Sequence, residues 1–505
     1  MIPTLSAVLG IVLAAVVLVR LKRNRSVLPL PPGPKPLPIF GNLFDIPKLN
    51  AWEKYRKMCR ENGGMVYLTF FGHGLLVLGT AEMANDLLDK SSAEFSDRPP
   101  SVIRKMVEMD WVWGLLNYGN EWRDRRRMFH QHVGKSGLLQ YHAIFYDERD
   151  KLLRELAQAP DQFRHLFRMF FGKSIMRMSY GVNDDEWNKN LILESEQLFR
   201  DFTEVTRPGR LWVSTLPSLK HIPGWLPGAG FQRRLAELTK ISRHVLNSPF
   251  QKAMDDLNNP DKIKGPSMAA SFIENSLDDP SKQLDARSVC AQAYLAGIDS
   301  TVTAATGLVI ALAKYPHVQQ NGLEEIESIV GTGILPTLQD RDSLPYIQAI
   351  VRELTRWHVV APLAVPHVSS VDTEYKGYFI PKGTIVFANV WSYLHNPEVF
   401  PDPKEFKPER FLKDGLLDTE LMEKASVGFG FGRRICPGRF MSDELMFILV
   451  TSLICGFKIS SAKDANGDDI PLDLKIQATS SIATPAPFEC HIEARPLPNL
   501  WESQD

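Results

Sequence analysis

The 505-residue chain carries 58 basic and 59 acidic residues, for a formal net charge of -1, with 44% hydrophobic and 10% aromatic residues. So even a balance excludes a global electrostatic grip on nucleic acid, and the apolar content excludes a disordered or fibrous chain. Cys59, Cys290, Cys436, Cys455 and Cys490 are scattered without a CxxC pair, which excludes a zinc ribbon or redox dithiol. In isolation each reads as a small buried hydrophobe of a reducing compartment.

Residues 1–19 hold no charged side chain, and a helix of that length reaches about 28 Å, near the thickness of a hydrocarbon core. Arg20, Lys22, Arg23 and Arg25 follow at once, which by the positive-inside rule keeps that flank and the body in the cytosol. A cleaved signal peptide would carry its basic residues ahead of the apolar run. The expectation is a transmembrane anchor at 1–19, a basic flank and proline-rich hinge at 20–41, and one body over 42–505. Leu28-Pro29-Leu30-Pro31-Pro32-Gly33-Pro34-Lys35-Pro36 reads as a stiff extended spacer.

The body reads as mainly helical with small β-sheets. Val66 to Val77 predicts a hairpin around Gly72-His73-Gly74, and Glu374 to Val386 another through Pro381-Lys382-Gly383. Helical patterns cover Glu82 to Leu88 and Asp147 to Ala157. In Trp122-Arg123-Asp124-Arg125-Arg126-Arg127, Trp122 and Arg126 lie one helical turn apart. Trp212, Leu216, Ile222, Trp225 and Leu226, interspersed with Pro217, Pro223 and Pro227, predict an exposed apolar loop that dips into a bilayer or, more blandly, packs on the core.

The longest helix is expected from near Ala286 to Tyr315-Pro316 and is apolar on most sides. Asp299 near its middle favours a buried helix over a second membrane span, because a charge in lipid is costly. Ala296-Gly297-Ile298-Asp299-Ser300-Thr301 puts an acid and two alcohols beside a glycine, the groups that proton delivery requires. Glu353 and Arg356 share one helix face among Val351, Leu354 and Trp357. Finally, Phe429-Gly430-Phe431-Gly432-Arg433-Arg434-Ile435-Cys436-Pro437-Gly438 precedes an apolar helical run. A helix N-terminus behind Cys436 favours its thiolate.

That last segment resembles the haem-binding loop FxxGxRxCxG of the cytochrome P450 family. Phe429, Gly432, Arg434, Cys436 and Gly438 fill every position. Three more segments resemble the family's motifs in order: Trp122 to Arg126 its WxxxR helix, residues 296–301 its AGxDT motif, and Glu353 to Arg356 its ExxR helix, with Arg410 in Pro408-Glu409-Arg410-Phe411 as third partner. Ser300 stands where the family has Thr; it is given the alcohol role, and Thr301 stays open.

The resemblance implies the P450 fold with haem b, and Cys436 as the iron's thiolate ligand. It places Phe429 near the sulfur and Gly438 beside the cofactor. Trp122, Arg126, His367 and Arg434 would serve the propionates. Glu353, Arg356 and Arg410 would form a structural triad. Met109, Trp111, Trp113, Phe202, Ala296, Gly297, Val360, Leu363 and Ser481 are the expected substrate contacts. They are mostly apolar, so a terpenoid, steroid or aromatic polyketide is the expected class.

The implied reaction inserts one atom of O2. No dinucleotide fingerprint is seen, so electrons would come from NADPH through a membrane-bound reductase. Arg123, Arg125 and Arg127 are candidates for its docking face. The similarity is greatest to microsomal-type fungal enzymes of secondary metabolism, which implies the endoplasmic reticulum membrane. The competing functions are a haem-thiolate isomerase or dehydratase needing no external electrons, and a non-enzymatic haem sensor or carrier.

Overall fold

The computed structural model describes residues 28–207, 210–214, 216–226, 228–259, 265–276, 279–477 and 482–497. The expected anchor at 1–19, most of its basic flank, and Ser481 lie outside the described residues. Within them the architecture is mainly helical with small sheets. The helices that build the site are α1 (Asn120–Val133), α2 (His142–Gln158), α3 (Phe163–Tyr180), α4 (Asp185–Thr206), α5 (Gly230–Leu257), α6 (Pro280–Lys314), α7 (Pro345–Trp357) and α8 (Arg439–Gly456).

The long helix α6 is the axis of the core. It packs along α3 and also touches α1, α7 and α8. It is long and apolar enough to cross a membrane, yet 72% of its most apolar stretch is buried inside the fold. The expected start near Ala286 falls short by six residues. Asp279 caps the true N-terminus by accepting from the Ser281 and Lys282 amides, and Pro280 opens the first turn. Those opening turns are polar, so apolar periodicity does not register them.

The main sheet joins β1 (Met65–Phe70), β2 (His73–Leu78), β6 (Ile385–Ala388) and β3 (His367–Val368) in that order. The first expected hairpin is present. Its two-residue turn is Phe71-Gly72, both at positive φ (45° and 82°), while His73 already pairs with Phe70. Such primed turns match the twist of the strands they join.

The second hairpin differs from expectation. It closes at Lys376-Gly377, with φ of 50° and 79°, and pairs β4 (Thr373–Tyr375) with β5 (Tyr378–Ile380). The Pro381-Lys382-Gly383 turn instead leads on to β6, which runs parallel to β2 and antiparallel to β3. A final hairpin pairs β7 (Ile476–Gln477) with β8 (Thr484–Pro485).

Glu353 and Arg356 on α7 are fully buried. Arg356 Nε and Nη2 donate to the two carboxylate oxygens of Glu353 at 2.6 and 2.8 Å. Arg410 Nε adds a third bond at 3.1 Å and the Lys407 amide a fourth at 2.8 Å. The rest of the Arg356 fork donates to the carbonyls of Leu394, Pro403 and Glu405. The three residues of the expected triad are thus brought into contact, and every partner is satisfied. A buried charge left without its partner is strongly destabilising. Glu353→Ala should therefore cost roughly 3–5 kcal/mol and lower the yield of folded protein; an unfolding midpoint equal to that of the unmodified chain would show the triad to be dispensable for the fold.

Candidate haem-thiolate site

The cysteine loop is a run of tight turns. The Gly430 amide donates to Val427 O, Arg434 N to Phe431 O, Ile435 N to Gly432 O, and Cys436 N to Phe429 O at 2.8 Å. Gly432 sits at φ 49°, where a Cβ would lie 2.3 Å from Leu88 O. No other residue fits there. The α8 helix begins at Arg439 with Gly438 as its N-cap, so Pro437 stands just outside the helix rather than in its first turn.

The expectation that this helix start favours a thiolate is met only in part. The Gly438 amide, Arg126 and Arg439 each pull the Cys436 thiol down, but burial outweighs them and its net shift is upward. A metal cation at the sulfur would reverse that balance, because a coordinating thiol is deprotonated outright.

Beside the loop lies a concentration of buried positive charge. Arg434 donates to Ser96 O and Leu116 O, both at 2.7 Å, and its Nη1 is buried without a hydrogen-bond partner. Arg126 donates to Ile435 O at 2.9 Å. Trp122 lies between them, with the Arg434 guanidinium 4.5 Å and that of Arg126 5.4 Å from its ring. His367 is buried, with Nδ1 2.6 Å from Phe95 O.

Arg98, which the motifs did not single out, completes the group. It is buried and donates to the carbonyls of Gly114, Val365 and Pro366. Burial and mutual repulsion push Arg98 down to about 9, and burial is the main cause that takes Arg434 to about 10. His367 is held neutral, near 3, by burial and by the charges of Arg98 and Arg434. Sequence gave no spacing signal for Arg98, which sits in Ser96-Asp97-Arg98-Pro99-Pro100.

On α6, Ala296 is exposed amid buried neighbours. Ser300 is half-buried and donates to Ala296 O at 3.1 Å. Thr301 is buried at 4% exposure, with its hydroxyl committed to Gly297 O at 2.6 Å and Ile298 O at 2.9 Å. Gly297, an expected substrate contact, lies against α3: a Cβ there would meet Ile175 Cδ1 at 2.8 Å. Asp299 is turned toward α3 and α4. Arg168 Nη1 donates to it at 2.7 Å, and Arg168 also contacts Glu196 at 3.4 Å.

The expected substrate contacts divide. Met109, Trp111 and Trp113 are 1%, 5% and 1% exposed and belong to the packed core. The Trp111 indole N–H is spent on Ser242 of α5 at 3.0 Å. Val360, Leu363 and Phe202 retain partial exposure, and Val365 is exposed.

These residues fit a flat, dianionic, iron-bearing macrocycle. There is a sulfur ligand in a rigid loop, and open space where a Cβ on Gly438 would stand, with only Met441 Cε at 4.0 Å. There is also an orphaned guanidinium nitrogen on Arg434, which lies near Arg98 and Arg126 with the single carboxylate of Asp97 to oppose their charge. Guanidinium forks are the usual partners of paired carboxylates.

The sequence profile described as Cytochrome P450 matches residues 31–482. The chain is 42% identical to "Cytochrome P450 monooxygenase COX1" of Coprinopsis cinerea, over 95% of this chain and 94% of that protein. It is 40% identical to "Cytochrome P450 monooxygenase COX2" of the same fungus, over 94% and 90% of the two chains. To "Tryptamine 4-monooxygenase" of Psilocybe cyanescens it is 33% identical, over 94% of each. A loop built to present one cysteine beside buried arginines, and a match across nearly the whole length, lead to one conclusion: the chain belongs to the cytochrome P450 family and is a monooxygenase.

Proposed function

We propose that this chain is a membrane-anchored fungal P450 that oxygenates a lipophilic small molecule in secondary metabolism, with electrons from an NADPH-dependent reductase. A terpenoid, steroid or aromatic polyketide is the substrate class. The observation that carries the reading is the cysteine loop set against Arg98, Arg126 and Arg434. Haem b, when bound, supplies the oxygen chemistry.

The protein's own residues have separable tasks in this reading. Cys436 ligates the iron through its sulfur, and Phe429 packs near that sulfur. Gly438 leaves room for the ring. Trp122, Arg98, Arg126 and Arg434 hold the propionates, and His367 joins them once a propionate's charge has protonated its Nε2. Ser300 holds a proton at its hydroxyl on the side of α6 that Ala296 opens. Thr301 is a poorer candidate, since it is buried and bonded to its own helix. Asp299 reaches that hydroxyl only by leaving Arg168. Val360, Leu363, Phe202 and Ala296 make apolar contact with substrate.

The reductase docks on the face bearing Arg123, Arg127 and Arg433, all exposed. Arg125, once grouped with them, is 3% exposed and bonded to Asp285 and Glu121, so it has no part in docking. The anchor at 1–19 places the body on the cytosolic side of the endoplasmic reticulum membrane. Trp212 and Trp225, 70% and 80% exposed, extend its contact with the bilayer.

The full-length chain, reduced under carbon monoxide, should show the red-shifted Soret band of a thiolate-ligated haem. Its product formation should require NADPH and reductase. Persistence of that band in Cys436→Ala would reject the ligand assignment; turnover without electrons would favour an isomerase.

Ser300→Ala should retain haem while product formed per NADPH falls several-fold and hydrogen peroxide rises. Thr301→Ala should change that ratio less. The reverse ranking would move the proton-holding role to Thr301.

A further inference from the structure

The Val360 segment, proposed above to contact substrate, is tied to the segment that precedes β8 at a point the mechanism does not use. Ala483, immediately before β8, is fixed through both of its backbone polar groups. Its amide donates to Val360 O at 2.8 Å. Its carbonyl lies 2.8 Å from His358 Nε2. An acceptor on Nε2 fixes the tautomer, with the proton on Nε2 and a bare lone pair on Nδ1. His358 is 2% exposed, and that Nδ1 has no hydrogen-bond partner. The ring is wedged against α6 at Gly307, where a Cβ would lie 2.2 Å from Nδ1.

Leaving a buried nitrogen unpaired is costly. The fold accepts it to keep a donor aimed at Ala483. A phenylalanine would fill much the same volume and remove the orphan nitrogen, but would leave the buried Ala483 carbonyl without its donor. The retained group is therefore the Nε2–H, and what it fixes is the position of Ile482 opposite Val360. Both of those side chains are partly exposed.

We propose that His358 is a positioning residue for substrate selection, setting the separation between the Val360–Val365 wall and the Ile482–Ala483 wall. Gly307 serves it by leaving room for the ring. The proposal rests on the haem-thiolate reading given above. It goes beyond that reading in assigning shape selectivity to a residue that touches neither substrate nor haem.

The test uses the haem-loaded full chain and two probes that bind iron through an imidazole nitrogen. Imidazole itself stays near the iron, whereas 1-phenylimidazole extends its ring toward the walls. Dissociation constants are read from the Soret shift. His358→Phe should weaken 1-phenylimidazole about tenfold, the scale of one lost buried hydrogen bond, and leave imidazole within about twofold. His358→Gln, whose amide N–H can reach the same carbonyl, should restore most of the difference. Gly307→Ala, which must displace the ring, should behave like His358→Phe and carries the test if that variant fails to load haem. An unchanged ratio of the two constants in the substituted proteins, with the carbon monoxide band intact, would overturn the proposal. So would a glutamine variant as impaired as the phenylalanine one. Loss of that band in the unmodified chain would instead remove the haem-thiolate reading, and this proposal with it.

Discussion

Everything around the site depends on largely buried positive charge that the protein neutralises only in part, through Asp97 beside Arg434. Arg434 depresses Arg98, and Arg126 depresses Arg434 while Asp97 opposes it. Backbone carbonyls satisfy most of their N–H groups, but a carbonyl dipole does not cancel a charge. Taking guanidinium ions from water without counter-ions is unfavourable by several kcal/mol each, even after relaxation. A chain can sustain such an arrangement when a bound dianion offsets it. Arg126, with Arg439, also draws the Cys436 sulfur toward ionisation while burial opposes it. Ligand, counter-ion and iron thus form one coupled electrostatic problem, which haem solves at a stroke.

The rest of the architecture keeps that cluster in register. The fully satisfied Glu353–Arg356–Arg410 network ties α7 to the 394–410 segment. The α6 helix supplies a wall that is closely packed on the α3 side, through Gly297 against Ile175, and open at Ala296. The 358–367 segment is held at one end by His358 and Val360 on Ala483, and at the other by Arg98 on Val365 and Pro366. The arginine proposed to serve the propionates is therefore also the one that ties down the carbonyls of Val365 and Pro366. Changes at Arg98 should be felt in both.

Much of this is legible in the chain because the physical demands are local. The glycine at 432 is called for by the loop's own turn, which holds it at φ 49°, although the backbone that approaches it, at Leu88, is distant in sequence. The Glu353–Arg356 pair is set by helical spacing. The long apolar helix is visible from its middle, though its polar first turns are not, since a cap and a proline mark them more faintly than a hydrophobic stripe. Long-range partners are what sequence spacing conceals. Arg168 meets Asp299 across 131 positions of the chain, and Arg98 meets Val365 across 267. Nothing in either neighbourhood announces the contact. The same holds for Trp111 and Trp113: an apolar segment reads alike whether it faces a ligand or the core, and only packing distinguishes the two. Gly297 shows the converse. Its smallness was apparent, but the neighbour that demands it, Ile175, was not.

The claim that a dianion completes the arginine cluster can be tested by changing the cofactor rather than the protein. Haem and haem dimethyl ester share the iron and the ring, but the ester lacks both carboxylates. Apoprotein titrated with each, followed by Soret absorbance and by the thermal unfolding midpoint, should bind the ester at least about tenfold more weakly, given that even one charge-assisted hydrogen bond is commonly worth about 1.5–3 kcal/mol. The ester should also raise the midpoint much less. Equal affinity and equal stabilisation by the two compounds would contradict the assignment of Arg98, Arg126 and Arg434 as the residues that the propionates neutralise.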